Sequence, residues 1–132
     1  MTGEPITLDL HHGPAVLPVM VRVVTAVAGR AGIELDRLGD LEIIVATIAP
    51  SVRSFTLDGR VRVAISSQDA GSIVLHVGPL RRGGANGLRD ACMVPGVGSV
   101  VDRLADRVWV ERAPDGEYWA LELATEALTA PR

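Results

Sequence analysis

Between Asp40 and Ser54 the chain reads DLEIIVATIAPSVRS, and Leu41, Ile44, Val45, Ile48 and Val52 recur there at the spacing of one helix face. A strand cannot use that spacing, because it sends alternate residues to opposite sides. A helix striped in this way must lay its apolar face on another layer. Pro50 stands inside the pattern. It has no N–H, and its ring crowds the turn before it, so the helix is expected to kink or end near Ala49. At the other end, Asp36 is the expected N-cap, its carboxylate accepting from the first free N–H groups.

What surrounds this helix has to supply the other layer. Ile6, Leu8 and Leu10 alternate with Thr7 and Asp9, a period of two that predicts a short first strand. His11-His12-Gly13-Pro14 breaks it; with no Cys, Asp or Glu cluster nearby, the paired histidines read as a solvated turn and not as a metal site. A helix is expected from about Ala15 or Pro18 to Arg30, with Met20, Val23, Val24 and Val27 on one face and with Gly29 and Gly32 ending it. Its valines are poor helix formers, so it must depend on packing, into the core or against a partner chain.

Downstream, Asp58-Gly59 signals a turn. Val61, Val63 and Ile65 then alternate with Arg60, Arg62 and Ala64, as a strand with one wet face does. After a turn at Gln68 to Gly71, Ile73 to Val77 reads as a more buried antiparallel strand, with His76 on its face. Gly78 to Gly87, GPLRRGGANG, is too rich in glycine for a helix or strand and is expected to be a mobile loop or lid. Arg81, Arg82 and Arg89 make it the local basic patch, open to an anion contact or simply to solvent. Pro95-Gly96-Val97-Gly98 is expected to open a third helix striped by Val97, Val100, Val101, Leu104 and Ala105. Glycines ahead of a helix let backbone N–H groups approach a phosphate, although a lone GxG also makes an ordinary tight turn. Val108 to Glu111 and Tyr118 to Leu123 form a last hairpin around Ala113-Pro114-Asp115-Gly116.

Helices grouped apart from mostly antiparallel strands predict an α+β two-layer sandwich. One domain is expected over residues 1–125, with a flexible tail over 126–132. Hydrophobic residues are 48% of the 132, but one Phe, one Tyr and two Trp leave the core to aliphatic side chains. A net charge of -3 argues against nucleic acid as the main partner. The single cysteine, Cys92, rules out an internal disulfide and fits a reducing cytoplasm. The apolar run from Ala15 to Ala28, broken by Pro18 and Arg22, is too short to span a bilayer. The first residues, MTGEPITLDL, have no basic and apolar leader pattern. A cytoplasmic protein is the expectation.

Two stretches carry a family resemblance. Gly96 to Val110, GVGSVVDRLADRVWV, is similar to the GxGLxLI..LAD.V.V segment of the anti-sigma-factor serine kinases, members of the histidine-kinase-like (GHKL) ATPase superfamily. Ser99 stands where that family has Leu. Asp40 to Ala46, DLEIIVA, resembles the lead-in to the family's N-box. The order of elements from about Ile6 to Leu123 agrees. The resemblance implies a histidine-kinase-like ATPase fold and a bacterial regulator of transcription that binds a sigma factor, with a STAS-domain antagonist competing for it. It also leaves room for a homodimer.

The same resemblance places the chemistry, and this chain departs from it. Thr47 occupies the position of the N-box Glu, and Ser51 that of the Asn that holds Mg²⁺. A threonine hydroxyl cannot act as a general base at neutral pH. The family's DxGxG, whose Asp reads adenine, corresponds here to Gly78-Pro79-Leu80-Arg81-Arg82, which has no carboxylate. Three losses of independent use imply a pseudokinase that works by protein binding, with no catalytic residue, no metal and no ATP requirement. What remains of the nucleotide cleft would be Ser51, Arg81, Arg82, Gly96 and Gly98. The alternatives are a serine kinase or ATPase with rearranged catalytic residues that still uses ATP and Mg²⁺, or a module holding an anion or metabolite in the old cleft.

Overall fold

The computed structural model describes residues 5–11, 16–67 and 71–125. In chain order it contains β1 (Ile6–Leu10), α1 (Val16–Arg30), α2 (Leu35–Val52), a 3₁₀ turn at Arg53–Phe55, β2 (Val61–Ser66), β3 (Ser72–Leu80), α3 (Gly84–Ala91), β4 (Met93–Val94), β5 (Gly98–Ser99), α4 (Val100–Leu104), β6 (Arg107–Ala113) and β7 (Gly116–Ala124). Five strands form one sheet in the order β1-β2-β3-β7-β6, every described pairing antiparallel, and β4 pairs with β5 in a separate small hairpin. Helices cover one face of the sheet, giving the α+β two-layer sandwich.

The period of two decides which side chains meet the helices. Val61, Val63 and Ile65 of β2, Ile73, Leu75 and Val77 of β3, and Trp119, Leu121 and Leu123 of β7 are all buried in one core. The helix layer answers with Met20, Val24 and Ala28 of α1 and with Leu41, Ile44, Val45, Ile48, Ala49 and Val52 of α2. The buried stripe of α1 thus runs in steps of four along Met20, Val24 and Ala28, while Val23 and Val27 stand at its flank, half-buried. Gly29 lies within the helix; the turn that ends it is closed by Gly32, at φ +92°.

Pro50 does not stop α2, which continues to Val52. Burying a Leu, Ile or Val contributes about 1.5–3 kcal/mol, so the five large residues on this face outweigh the roughly 3 kcal/mol cost of an internal proline. The proline ring is exposed, and so is Ala46, the residue whose carbonyl the missing Pro50 N–H would have bonded. Val52, beyond the proline, is fully buried and rewards the extra turn. Asp36 is not the N-cap either. That position is Glu34, which makes no side-chain capping bond, and Asp36 lies in the first turn where its charge suits the helix dipole.

The largest correction concerns Gly78 to Gly87. Gly78, Pro79 and Leu80 finish β3, and Gly84 to Gly87 begin α3, an ordered helix whose Ala85 and Leu88 enter the core. Gly83, the N-cap, takes a left-handed φ of +77° with open space at its Cβ, while Gly84 and Gly87 are here for closeness. A Cβ on Gly84 would stand 2.9 Å from the Phe55 carbonyl oxygen, and one on Gly87 would stand 2.6 Å from the Phe55 ring. Pro95 to Gly98 does not open a helix directly: it turns β4 into β5, and the five-residue α4 starts only at Val100. Ser99 is its N-cap, with Oγ accepting from the Asp102 N–H at 3.1 Å. The tail at 126–132, His12 in its turn and positions 68–70 lie outside the described residues. No described helix is long and apolar enough to cross a membrane.

Candidate functional site

The positions with a claim to chemistry start on the second half of α2. Thr47 and Ser51 are one turn apart there, both part-exposed. The Thr47 hydroxyl donates to the Ile43 carbonyl at 2.7 Å, the back-bond that a threonine makes inside a helix. The Thr47 carbonyl in turn accepts from Cys92 Sγ at 3.6 Å. Ser51 offers its carbonyl to the Arg53 N–H as the helix tightens into the 3₁₀ turn. Neither side chain is a carboxylate, so this face of α2 has no base to activate a nucleophile.

The basic patch expected from Arg81, Arg82 and Arg89 separates into three environments. Arg81 donates from Nη1 to the Ser54 carbonyl at 2.7 Å, and its guanidinium lies 5.5 Å from the centre of the Phe55 ring. It fastens the start of α3 to the end of α2. Arg89 pairs with Asp102, joining α3 to α4. Arg82 alone faces a cavity, at the end of the sheet.

Gly96 and Gly98 lie in the β4–β5 hairpin with φ of +80° and +90°, and a Cβ on either would meet nothing within 4 Å. They serve a turn standing in solvent. The helix that follows is too short for its dipole to supply an anion site. What the hairpin presents is apolar: Met93, Val94 and Val97 are 47%, 38% and 43% exposed. These are three large apolar side chains part-exposed on one small turn.

The open face of the sheet holds a second group. His76 Nε2 and Glu111 Oε2 are 2.9 Å apart, Trp109 Nε1 donates to the same oxygen at 2.8 Å, and the His76 and Trp109 rings meet edge-on. These bonds, His76's first and Trp109's second, hold the Glu111 carboxyl below its ordinary pKa. Ala120, opposite both rings, is fully buried beneath them. His76 is thus the strand-face histidine its alternation predicts. At one end of this face Arg62 joins Asp9 and Asp115, and the Tyr118 hydroxyl donates to Asp115 at 2.7 Å. Burial, then the Asp115 bond, raises the tyrosine's pKa. Each of these carboxylates has a cation or a donor beside it, the arrangement of a stabilised sheet surface.

One residue escaped the reading of the sequence. Glu117 is 7% exposed and accepts the Ala85 N–H at 2.9 Å and the Gly83 N–H at 3.4 Å, so it caps α3 from β7. The signal was available: Glu117 is in phase with Trp119, Leu121 and Leu123, the inward row of its strand. A carboxylate in such a row needs donors waiting for it. Arg37 is a comparable tie, donating to Asp40, Asp106 and the Ala124 carbonyl at 2.7–3.0 Å.

Among the described residues no three His, Cys, Asp or Glu side chains stand close enough to hold a metal ion. A scan against protein-family models and a search of curated proteins find no match to this chain.

Proposed function

We propose that this chain is a regulatory domain that acts by binding another protein, in the manner of an anti-sigma factor that has given up its kinase chemistry. The partner would be a sigma factor or a STAS-domain antagonist, as the resemblance to the anti-sigma serine kinases implies. The observation that carries this reading is the β4–β5 hairpin. Its second half, from Gly96, lies in the segment that resembles the family's phosphate-binding glycines, yet the hairpin presents Met93, Val94 and Val97 to solvent. An apolar turn suits a protein surface far better than a triphosphate.

Thr47, Arg81 and Arg89 support the same reading, since the Thr47 hydroxyl is taken up by its own helix and the two guanidinium groups tie neighbouring elements together. Phosphoryl transfer needs positioned charge and a group that orients the nucleophile. Neither Thr47 nor Ser51 can provide that.

Two measurements test the proposal. Calorimetric titration with Mg²⁺-ATP is expected to give no saturable heat. Affinity capture is expected to recover a sigma factor or STAS protein whose binding the M93D/V94D/V97D variant loses. Saturable ATP binding with phosphorylation of a STAS protein would overturn it in favour of an active serine kinase.

A further inference from the structure

Where β6 turns into β7, the end of the sheet carries an open, solvent-facing cavity of about 300 Å³. Its apolar wall is Leu57, Leu80 and Ala113, and its charged wall is Arg82, Arg112 and Glu117. The remaining lining residue is Gly116, where a Cβ would come within 3.0 Å of Leu57, the Leu80 carbonyl and Pro79. That size is at the small end of ligand cavities, which pair an apolar lining with a few placed polar groups.

The charges do not cancel. Glu117 is buried, and its oxygens already accept the Gly83 and Ala85 N–H groups at the start of α3. Arg112 reaches it only at 3.9 Å, with a side chain 78% exposed. Arg82 makes no ion pair with a described residue. Two guanidinium groups against one carboxylate leave the cavity a single positive charge, in a chain whose net charge is negative. Arginine's planar fork matches a carboxylate. A second negative charge on the ligand would face Glu117.

We propose that this cavity binds a small organic monoanion with an aliphatic body. Its carboxylate sits between Arg82 and Arg112, and its hydrocarbon lies on Leu57 and Leu80. The site is independent of the hairpin and of the protein-binding reading.

Hexanoate, titrated into the ¹⁵N-labelled chain and followed by amide shifts, tests it. Hexylammonium and succinate serve as charge controls. Saturable shifts centred on Gly83, Ala113, Gly116 and Glu117 are expected with hexanoate, weaker ones with succinate and none with hexylammonium. The R82Q/R112Q variant, changed only at exposed side chains, should weaken hexanoate by at least about tenfold, the effect of losing even one of the two charge-assisted contacts it removes. Ala113→Phe keeps both arginines and fills the cavity from an exposed position; it should abolish the shifts while the rest of the spectrum stays folded. Hexanoate shifts scattered over the surface, equal response to hexylammonium, or undiminished affinity in either variant would overturn the site.

Discussion

Two glycine-bearing segments of this molecule look alike in sequence and do opposite things. From Gly78 to Gly87 three of the four glycines, Gly78, Gly84 and Gly87, are sites of close approach, Gly83 alone being a positive-φ turn position: a Cβ on Gly78 would stand 2.7 Å from the Glu117 carbonyl oxygen and from the Tyr118 ring. At Gly96 and Gly98 there is nothing to approach, and what matters is the positive φ of a turn in open solvent. The first segment is tightly packed structure, and the second is an exposed feature that can be remodelled without disturbing the core. The partner surface we propose lies in the second kind of place.

Three substitutions probe the contrast, in falling order of effect. Gly78→Ala forces a methyl group against backbone in mid-sheet and should destabilise the fold by about 2–3 kcal/mol, the cost of overpacking. Urea unfolding with an unchanged m-value would measure it. Gly96→Ala meets no atom but must hold a left-handed backbone, a cost of about 1–2 kcal/mol, and Gly96→Asn should recover part of it. A larger loss at Gly96 than at Gly78 would undo the comparison. Gly39 completes the set with the opposite sign. It sits on the exposed side of α2 with normal φ and an open Cβ direction. Gly39→Ala should raise stability by about 0.4–1 kcal/mol in the same assay, because it restricts only the unfolded chain.

The architecture was largely legible because it rests on periodicity. Leu41 to Val52 announced a helix face, and the alternations at Ile6, Val61 and Tyr118 and the apolar run at Ile73 announced strands, all of which the structure contains. What was not legible depended on contacts distant in sequence. Nothing local says that Gly84 and Gly87 lie against Phe55, so a packed helix read as a lid. Nor does anything near Pro50 say that Val52 is fully buried beyond it. Glu117 was missed for a related reason, since its donors come from a segment more than thirty positions away. The expected cleft residues fared alike. Thr47 and Ser51 do share a helix face, but Arg81 is drawn off by Phe55 and Ser54, partners that its glycine-rich setting does not advertise.

Cys92 gives the molecule an internal clock. It is the chain's single thiol, 3% exposed at the end of α3, with burial pushing its pKa up to about 11. Near neutral pH the folded thiol is therefore both hidden and protonated, and a disulfide reagent can reach it only after the seam between α2 and α3 has parted. The rate at which a single thiol is consumed thus times that parting. Compared with the global unfolding free energy, it tells whether the Thr47 face of α2 opens alone or only with the whole fold.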